Sequence, residues 1–131
     1  MGDRTSYPPG TFCWVDLGTT DAEAARAFYT ALFGWNAEPV VDPAHPGTAR
    51  SYTVLKVGDR MNAGMAAMTD DAPSNWLVYF TVASCDVAQA IVEARDGQVL
   101  VPPAELPTGR FAIARDPQGA AFGLFEGDVD D

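Results

Sequence analysis

At 131 residues, with 47% hydrophobic and 20% charged residues, the chain has the length and composition of one soluble domain with a core of its own. Eighteen acidic side chains against eight basic ones give a formal net charge of −10, which argues against nucleic acid, whose binders carry a basic stripe, and against anionic membrane surfaces. The acidity reads either as solubility or as a preference for neutral or cationic ligands.

In chain order, the polar start ends in Pro8-Pro9-Gly10 and reads as a loosely held arm. Residues 12–17 are apolar and aromatic, bounded by Gly10 and Gly18, and predict a first strand. Thr20-Asp21-Ala22-Glu23 fits a capping box, with the threonine hydroxyl as cap. A helix follows with Ala25, Phe28, Tyr29, Leu32 and Phe33 at helical spacing on one face, stopped by Gly34. Residues 35–41 predict a second strand, 42–50 a loop, 51–57 a third strand, Gly58-Asp59 a turn and 60–68 a short fourth strand. Residues 70–74 read as a linker. A strand over 76–82 then leads to a helix over 87–95, with Asp86 as cap and Gly97 as stop. The rest predicts a strand over 98–101, a loop over 102–109, a strand over 111–115, a turn at Asp116-Pro117-Gln118-Gly119 and a last strand over 120–126. The final five residues read as a short acidic tail.

The two halves of this pattern match. Residues 14–34 and 77–97 both read as strand, capped turn, helix and glycine stop, at an offset of 63 (77 − 14 and 97 − 34). Each is followed by further strands, so the chain predicts a duplicated strand–helix–strands unit, about 10–69 and 75–127, within a single 1–131 domain. Cys13 and Cys85 form no paired motif and read as small buried hydrophobes in a reducing compartment. No leader and no apolar run of about 18 residues is present, so the expected setting is cytoplasmic.

Two βαβββ units in this length resemble the vicinal oxygen chelate superfamily, which includes glyoxalase I, extradiol dioxygenases and bleomycin-resistance proteins. The residues that carry the resemblance are Asp21, Ala27-Phe28-Tyr29 and Leu32-Phe33-Gly34-Trp35 in the first unit, and Asp116-Pro117-Gln118-Gly119 before the last strand. The wording of residues 12–35 is most similar to the metal-poor bacterial branch, often described only as glyoxalase-like. The resemblance implies an α+β fold, with two βαβββ modules forming a curved, mainly antiparallel sheet around a cup. It also implies a small-molecule ligand and, for short members, a homodimer.

The resemblance further implies four inward-facing metal-ligand positions. Carried over, these fall at Trp14, within residues 62–67, at or near Leu77, and at Gly123. None of the assigned side chains is an imidazole, thiolate or carboxylate, so no metal and no cofactor are expected. His45, the one histidine, lies in a proline-flanked loop and reads as solvent-facing. The same positions orient the strands. Phe12, Trp14 and Asp16 would face the cup, with Cys13, Val15 and Leu17 against the helix. Leu77, Tyr79 and Thr81 would share that face in the second unit, with Ala121, Gly123 and Phe125 on the last strand.

This predicts a mostly apolar concave surface with Asp16 as its clear acid. Asp16 and Tyr79 are the candidate catalytic groups, with Tyr52 as a further hydrogen-bond donor. Trp14, Phe12, Tyr52, Leu77, Thr81 and Phe125 are the candidate ligand contacts. Structural readings stay open beside these. Trp14 and Phe125 also suit a core or a chain–chain interface, Asp16 a bridge to Arg115 or Arg50, and Tyr79 a core position. Met61, Met65 and Met68 read as gap fillers. The function expected is a metal-independent binder of an aromatic or amphipathic small molecule, of the bleomycin-resistance type. The alternative is a metal-independent isomerase, epimerase, cyclase or hydrolytic enzyme using Asp16 as acid or base. A third reading is an accessory subunit with a vestigial cup.

Overall fold

The computed structural model describes residues 8–40, 52–68, 73–106 and 109–127. These fall into two compact units, 15–76 and 77–127 with 8–14, so that the boundary cuts the first and fifth strands after Trp14 and Trp76. The fold class is α+β, and each unit follows the βαβββ order.

The first unit contains β1 (Phe12–Thr19), α1 (Ala22–Phe33), β2 (Asn36–Val40), β3 (Tyr52–Val57) and β4 (Arg60–Ala67). Its strand order is β2-β3-β4-β1, antiparallel except for the parallel pair β1 and β4. The helix begins at Asp21, not at Thr20. The Asp21 carboxylate accepts from the Ala24 amide at 3.0 Å, while the Thr20 amide donates to Ser74 Oγ at 3.1 Å. Asp21 stands in extended backbone directly before the helix, where its side chain meets the open amide, and its charge suits the helix start. Gly34 ends the helix in the left-handed conformation, φ 70°, as expected.

Leu17, Leu55, Ala63 and Met65 form the core beneath α1, with Val15, Ala22, Ala25, Tyr29, Trp35 and Ala37 packed around it. Burial of each large apolar side chain here contributes about 1.5–3 kcal/mol. The α1 stripe is only partly used, since Phe28, Leu32 and Phe33 stay more than half exposed. One sheet layer is too narrow for so wide an apolar face, so the flanking side chains gather into ring contacts. Tyr29 stacks with Phe33 and Trp35 and meets Phe28 edge-on at 5.0 Å.

The second unit contains β5 (Asn75–Thr81), α2 (Cys85–Ala94), β6 (Gln98–Leu106), β7 (Gly109–Arg115) and β8 (Ala121–Gly127). The order is β5-β8-β7-β6, again with one parallel pair, β5 and β8. Three local expectations are corrected. Ser84 caps α2, accepting from the Val87 amide at 3.2 Å, while Asp86 sits in the first turn and pairs with Arg110. Asp86 lies two residues past the cap position, inside the first turn. Asp96, not Gly97, takes the left-handed conformation, φ 67°. Gly97 is required for space instead, because a Cβ there would lie 2.8 Å from Val92 Cγ1 and 2.9 Å from the Arg115 carbonyl. Finally, β6 runs through Pro102-Pro103, where the sequence predicts a loop. It lies at the end of its unit's strand order and slips register twice, between Val99 and Val101 and between Val101 and Ala104. Edges and bulges are where a strand tolerates a residue that cannot donate.

Arg110 ties the start of α2 to the sheet. It bonds both Asp86 oxygens, at 2.9 and 3.3 Å, and its Nε lies 3.0 Å from Glu105 as an ion pair off the hydrogen-bonding line. Cys13 and Cys85 are both fully buried and unbridged, as small hydrophobes would be. Burial, and next the Glu126 carboxylate, push the Cys85 thiol up from its ordinary value.

Candidate functional site

The parallel pairing of β1 with β4 sets Asp16 opposite Gly64. On the other side of β4, Tyr52 of β3 pairs with Ala66 and Val54 with Gly64. Tyr52 therefore stands diagonal to Gly64 on the same sheet face. Its side chain leans over the glycine, and its hydroxyl donates to Asp16 Oδ1 at 2.7 Å. That length suits a phenol donating to a carboxylate, the stronger class of hydrogen bond. Both side chains are half-buried, so the pair is partly withdrawn from water yet open to a ligand. A Cβ at position 64 would overlap both Tyr52 Oη and Asp16 Oδ1.

The second unit repeats this geometry with different chemistry. β5 pairs with β8 so that Tyr79, at the offset-63 counterpart of Asp16, stands opposite Gly123. Ile113 pairs with Gly123, which makes Phe111 the counterpart of Tyr52. Here the Tyr79 ring itself covers the glycine, and a Cβ at 123 would overlap it. Tyr79 is buried with Phe125 and Cys13, and Trp14, Leu77 and Phe111 pack around them. The Cys13 thiol reaches the Tyr79 carbonyl at 3.6 Å.

The structure thus gathers Trp14, Leu77, Tyr79 and Phe125 into one apolar cluster, and Asp16 and Tyr52 into one polar pair. Thr81 is buried and engaged through its backbone, its amide donating to the Thr11 carbonyl at 2.8 Å. Phe12 is 61% exposed and joins neither group. Within its own unit Asp16 is held by Tyr52, while Arg50 and His45 lie outside the described residues. Sequence reading missed the Asp16–Tyr52 contact and the part played by Gly64 and Phe111. An interior strand glycine is itself a signal of close approach, and Gly64 was that signal. A concavity of about 550 Å³ lies on the opposite face of the second unit's sheet, beside α2, and is lined by apolar groups such as Phe80, Val87, Ile91 and Phe122. It offers nothing that titrates.

Within the 62–67 stretch to which the resemblance points, the register singles out one residue. Gly64 is to β1 what Gly123 is to β5. The four carried-over positions therefore hold Trp14, Gly64, Leu77 and Gly123, none of which supplies a donor for a divalent metal. Among the described residues, no three His, Cys, Asp or Glu side chains converge as a metal site would require. Among the described residues, the side chains at these positions do not fit the group that the fold implies.

Residues 11–124 match the family model of the glyoxalase/bleomycin resistance protein/dioxygenase superfamily. The chain belongs to that superfamily. It is 37% identical over 131 residues to a putative glyoxylase, CFP32, of Mycobacterium bovis, covering 96% of this chain and 49% of the relative. It is 34% identical over 137 residues to the anthracycline biosynthesis protein DnrV of Streptomyces peucetius, covering 92% and 48%. The chain spans about half the length of the curated relatives it matches. Among solved structures, methylmalonyl-CoA epimerase from Mycobacterium tuberculosis superposes with a TM-score of 0.61 at 12% identity, covering 91% of this chain and 89% of that one. A Streptomyces coelicolor methylmalonyl-CoA epimerase variant in complex with 2-nitronate-propionyl-CoA gives 0.63 at 16% identity, covering 92% and 99%. These last two show the fold alone. No helix among the described residues is long and apolar enough to cross a membrane.

Proposed function

We propose that this protein is a metal-independent member of its superfamily that binds an aromatic or amphipathic small molecule, as a sequestering protein of the bleomycin-resistance type does. The observation that carries this reading is the hydrogen bond between Tyr52 and Asp16 over Gly64, at a place where the family's metal chemistry needs a ligand side chain. A half-buried carboxylate held by a phenol is a polar anchor for a ligand's hydroxyl or amine. The name of one relative, an anthracycline biosynthesis protein, supports a polycyclic aromatic ligand class.

The same pair favours one second reading. Asp16 as base and Tyr52 as acid would serve a metal-independent proton transfer, as in an isomerase or epimerase, with Tyr79 left to packing. Asp16→Asn separates the two. A binder changes affinity modestly, whereas an enzyme that needs the carboxylate loses most of its turnover and keeps its ligand.

The assembly proposed is a two-fold homodimer in the cytoplasm. Phe12, Phe28, Leu32 and Phe33 leave apolar surface for a second copy, and the relatives' double length supports a second domain as the covering surface. Sedimentation at micromolar concentration should give twice 13.9 kDa, and the monomer mass would refute the dimer.

A further inference from the structure

We propose that Gly64 is a positioning residue: by carrying no side chain it lets Tyr52 cross β4 to Asp16, and so it decides that this sheet face presents a phenol–carboxylate pair. The proposal rests on the reading of that pair as the ligand-binding group, and its test is chosen to stand apart from it.

Tyr52 and Asp16 lie on strands either side of β4, about 9–10 Å apart across two strand spacings. A tyrosine covers that gap only by lying over the strand between, and the residue beneath its path is Gly64, the direct partner of Asp16 and the diagonal neighbour of Tyr52. The glycine is not there for backbone reasons. Among the described residues the positive-φ glycines are Gly10, Gly34, Gly58, Gly109, Gly119 and Gly127, so position 64 has a conformation open to any residue. Space is the remaining reason, and the space is taken by the phenol end of Tyr52, Oη and Cζ, and by Asp16 Oδ1. Gly97 differs in kind, since the group that excludes a side chain there includes main chain.

At Gly64 the obstructing atoms are the tips of rotatable side chains. A methyl group at position 64 would push those tips apart and leave the strands paired. The predicted result is a protein that keeps its fold and loses the pair, although both partners remain in the sequence.

Infrared difference spectroscopy on the ligand-free 131-residue chain tests this. The Asp16 carboxylate band is the feature lost in D16N, and Y52F shifts it by removing the phenol donor. G64A should shift the band as Y52F does. In a Y52V background, where nothing crosses β4, G64A should move neither the band nor the thermal midpoint by as much as it does beside Tyr52. If G64A alone fails to fold, the Y52V/G64A protein should still fold. A G64A spectrum that keeps the wild-type band, or an equal cost of G64A in both backgrounds, would overturn the proposal. An anthracycline, followed by its own fluorescence, is then titrated into the wild type. If the band behaves as expected and the anthracycline does not bind, the positioning role stands and the ligand reading falls.

Discussion

The two units build the same framework around a strand glycine and fill it with opposite chemistry. At Gly64 the neighbours are Asp16 and Tyr52, half-buried and joined by a hydrogen bond. At Gly123 the counterparts are Tyr79 and Phe111, which join a buried cluster with Phe125 and Cys13. The register and the empty position recur in both units, one of which holds a polar pair and the other a buried aromatic cluster. The difference teaches which copy to question for function. A buried tyrosine in an apolar cluster contributes to folding first, whereas a half-open carboxylate holds chemistry that folding does not require.

The largest expected effect comes from Tyr79. Tyr79→Ala should cost about 3–5 kcal/mol, the range for deleting a buried aromatic ring, while Tyr52→Ala should cost about 1–2 kcal/mol. Urea midpoints compare the two, and equal costs would erase the division between core and site. The glycines sharpen the same contrast. Gly123→Ala meets the body of the Tyr79 ring, fixed among buried neighbours, and should cost about 1–3 kcal/mol by overpacking. Gly64→Ala meets movable tips and should cost less, and a reversed order of thermal midpoints would contradict the account.

The smallest effect concerns the helix starts. Hydrogen bonding to Arg110 holds the Asp86 carboxyl below its ordinary 3.8, so the folded chain keeps it ionised to lower pH than the unfolded chain does. The stability from this pair is present above about pH 3.8 and is lost as pH falls through the lower, folded value. The pair is exposed, so the effect is small and screened by salt. The gap between wild type and Asp86→Asn in urea midpoint should be slight at neutral pH and close below that window, while a gap that widens in acid would refute this assignment. At the start of α1, Thr20 meets Ser74.

Much of this was legible in the sequence because period and punctuation are local. The offset of 63 revealed the repeat and Gly34 the helix stop, whereas alternation set Cys13 against the helix and the structure buries it with Tyr79 and Phe125. Thr20, Asp86 and Gly97 misled because several residues near each helix end were chemically able to serve, and only the backbone decides which is in reach. Pro102-Pro103 misled because a proline's tolerance depends on whether its strand is an edge, which local pattern does not encode. The site was legible as a list, with Asp16, Tyr52 and Tyr79 all named, but not as a pairing. Which tyrosine meets Asp16 depends on register across three strands and on an absent side chain at 64. Phe12 shows the reverse failure, since alternation gives it a face but not neighbours to bury it.

The central claim is that Asp16 and Tyr52, without a metal, hold an aromatic ligand. Its most direct test is fluorescence titration of an anthracycline into wild type, D16N and Y52F, each with and without EDTA, beside elemental analysis of protein purified without chelator. The account predicts wild-type binding unchanged by EDTA, no stoichiometric transition metal, and affinity weakened roughly tenfold in D16N and Y52F, as loss of one charge-assisted hydrogen bond implies. Binding abolished by EDTA together with stoichiometric zinc, nickel, iron or manganese, or binding indifferent to both substitutions, would contradict it.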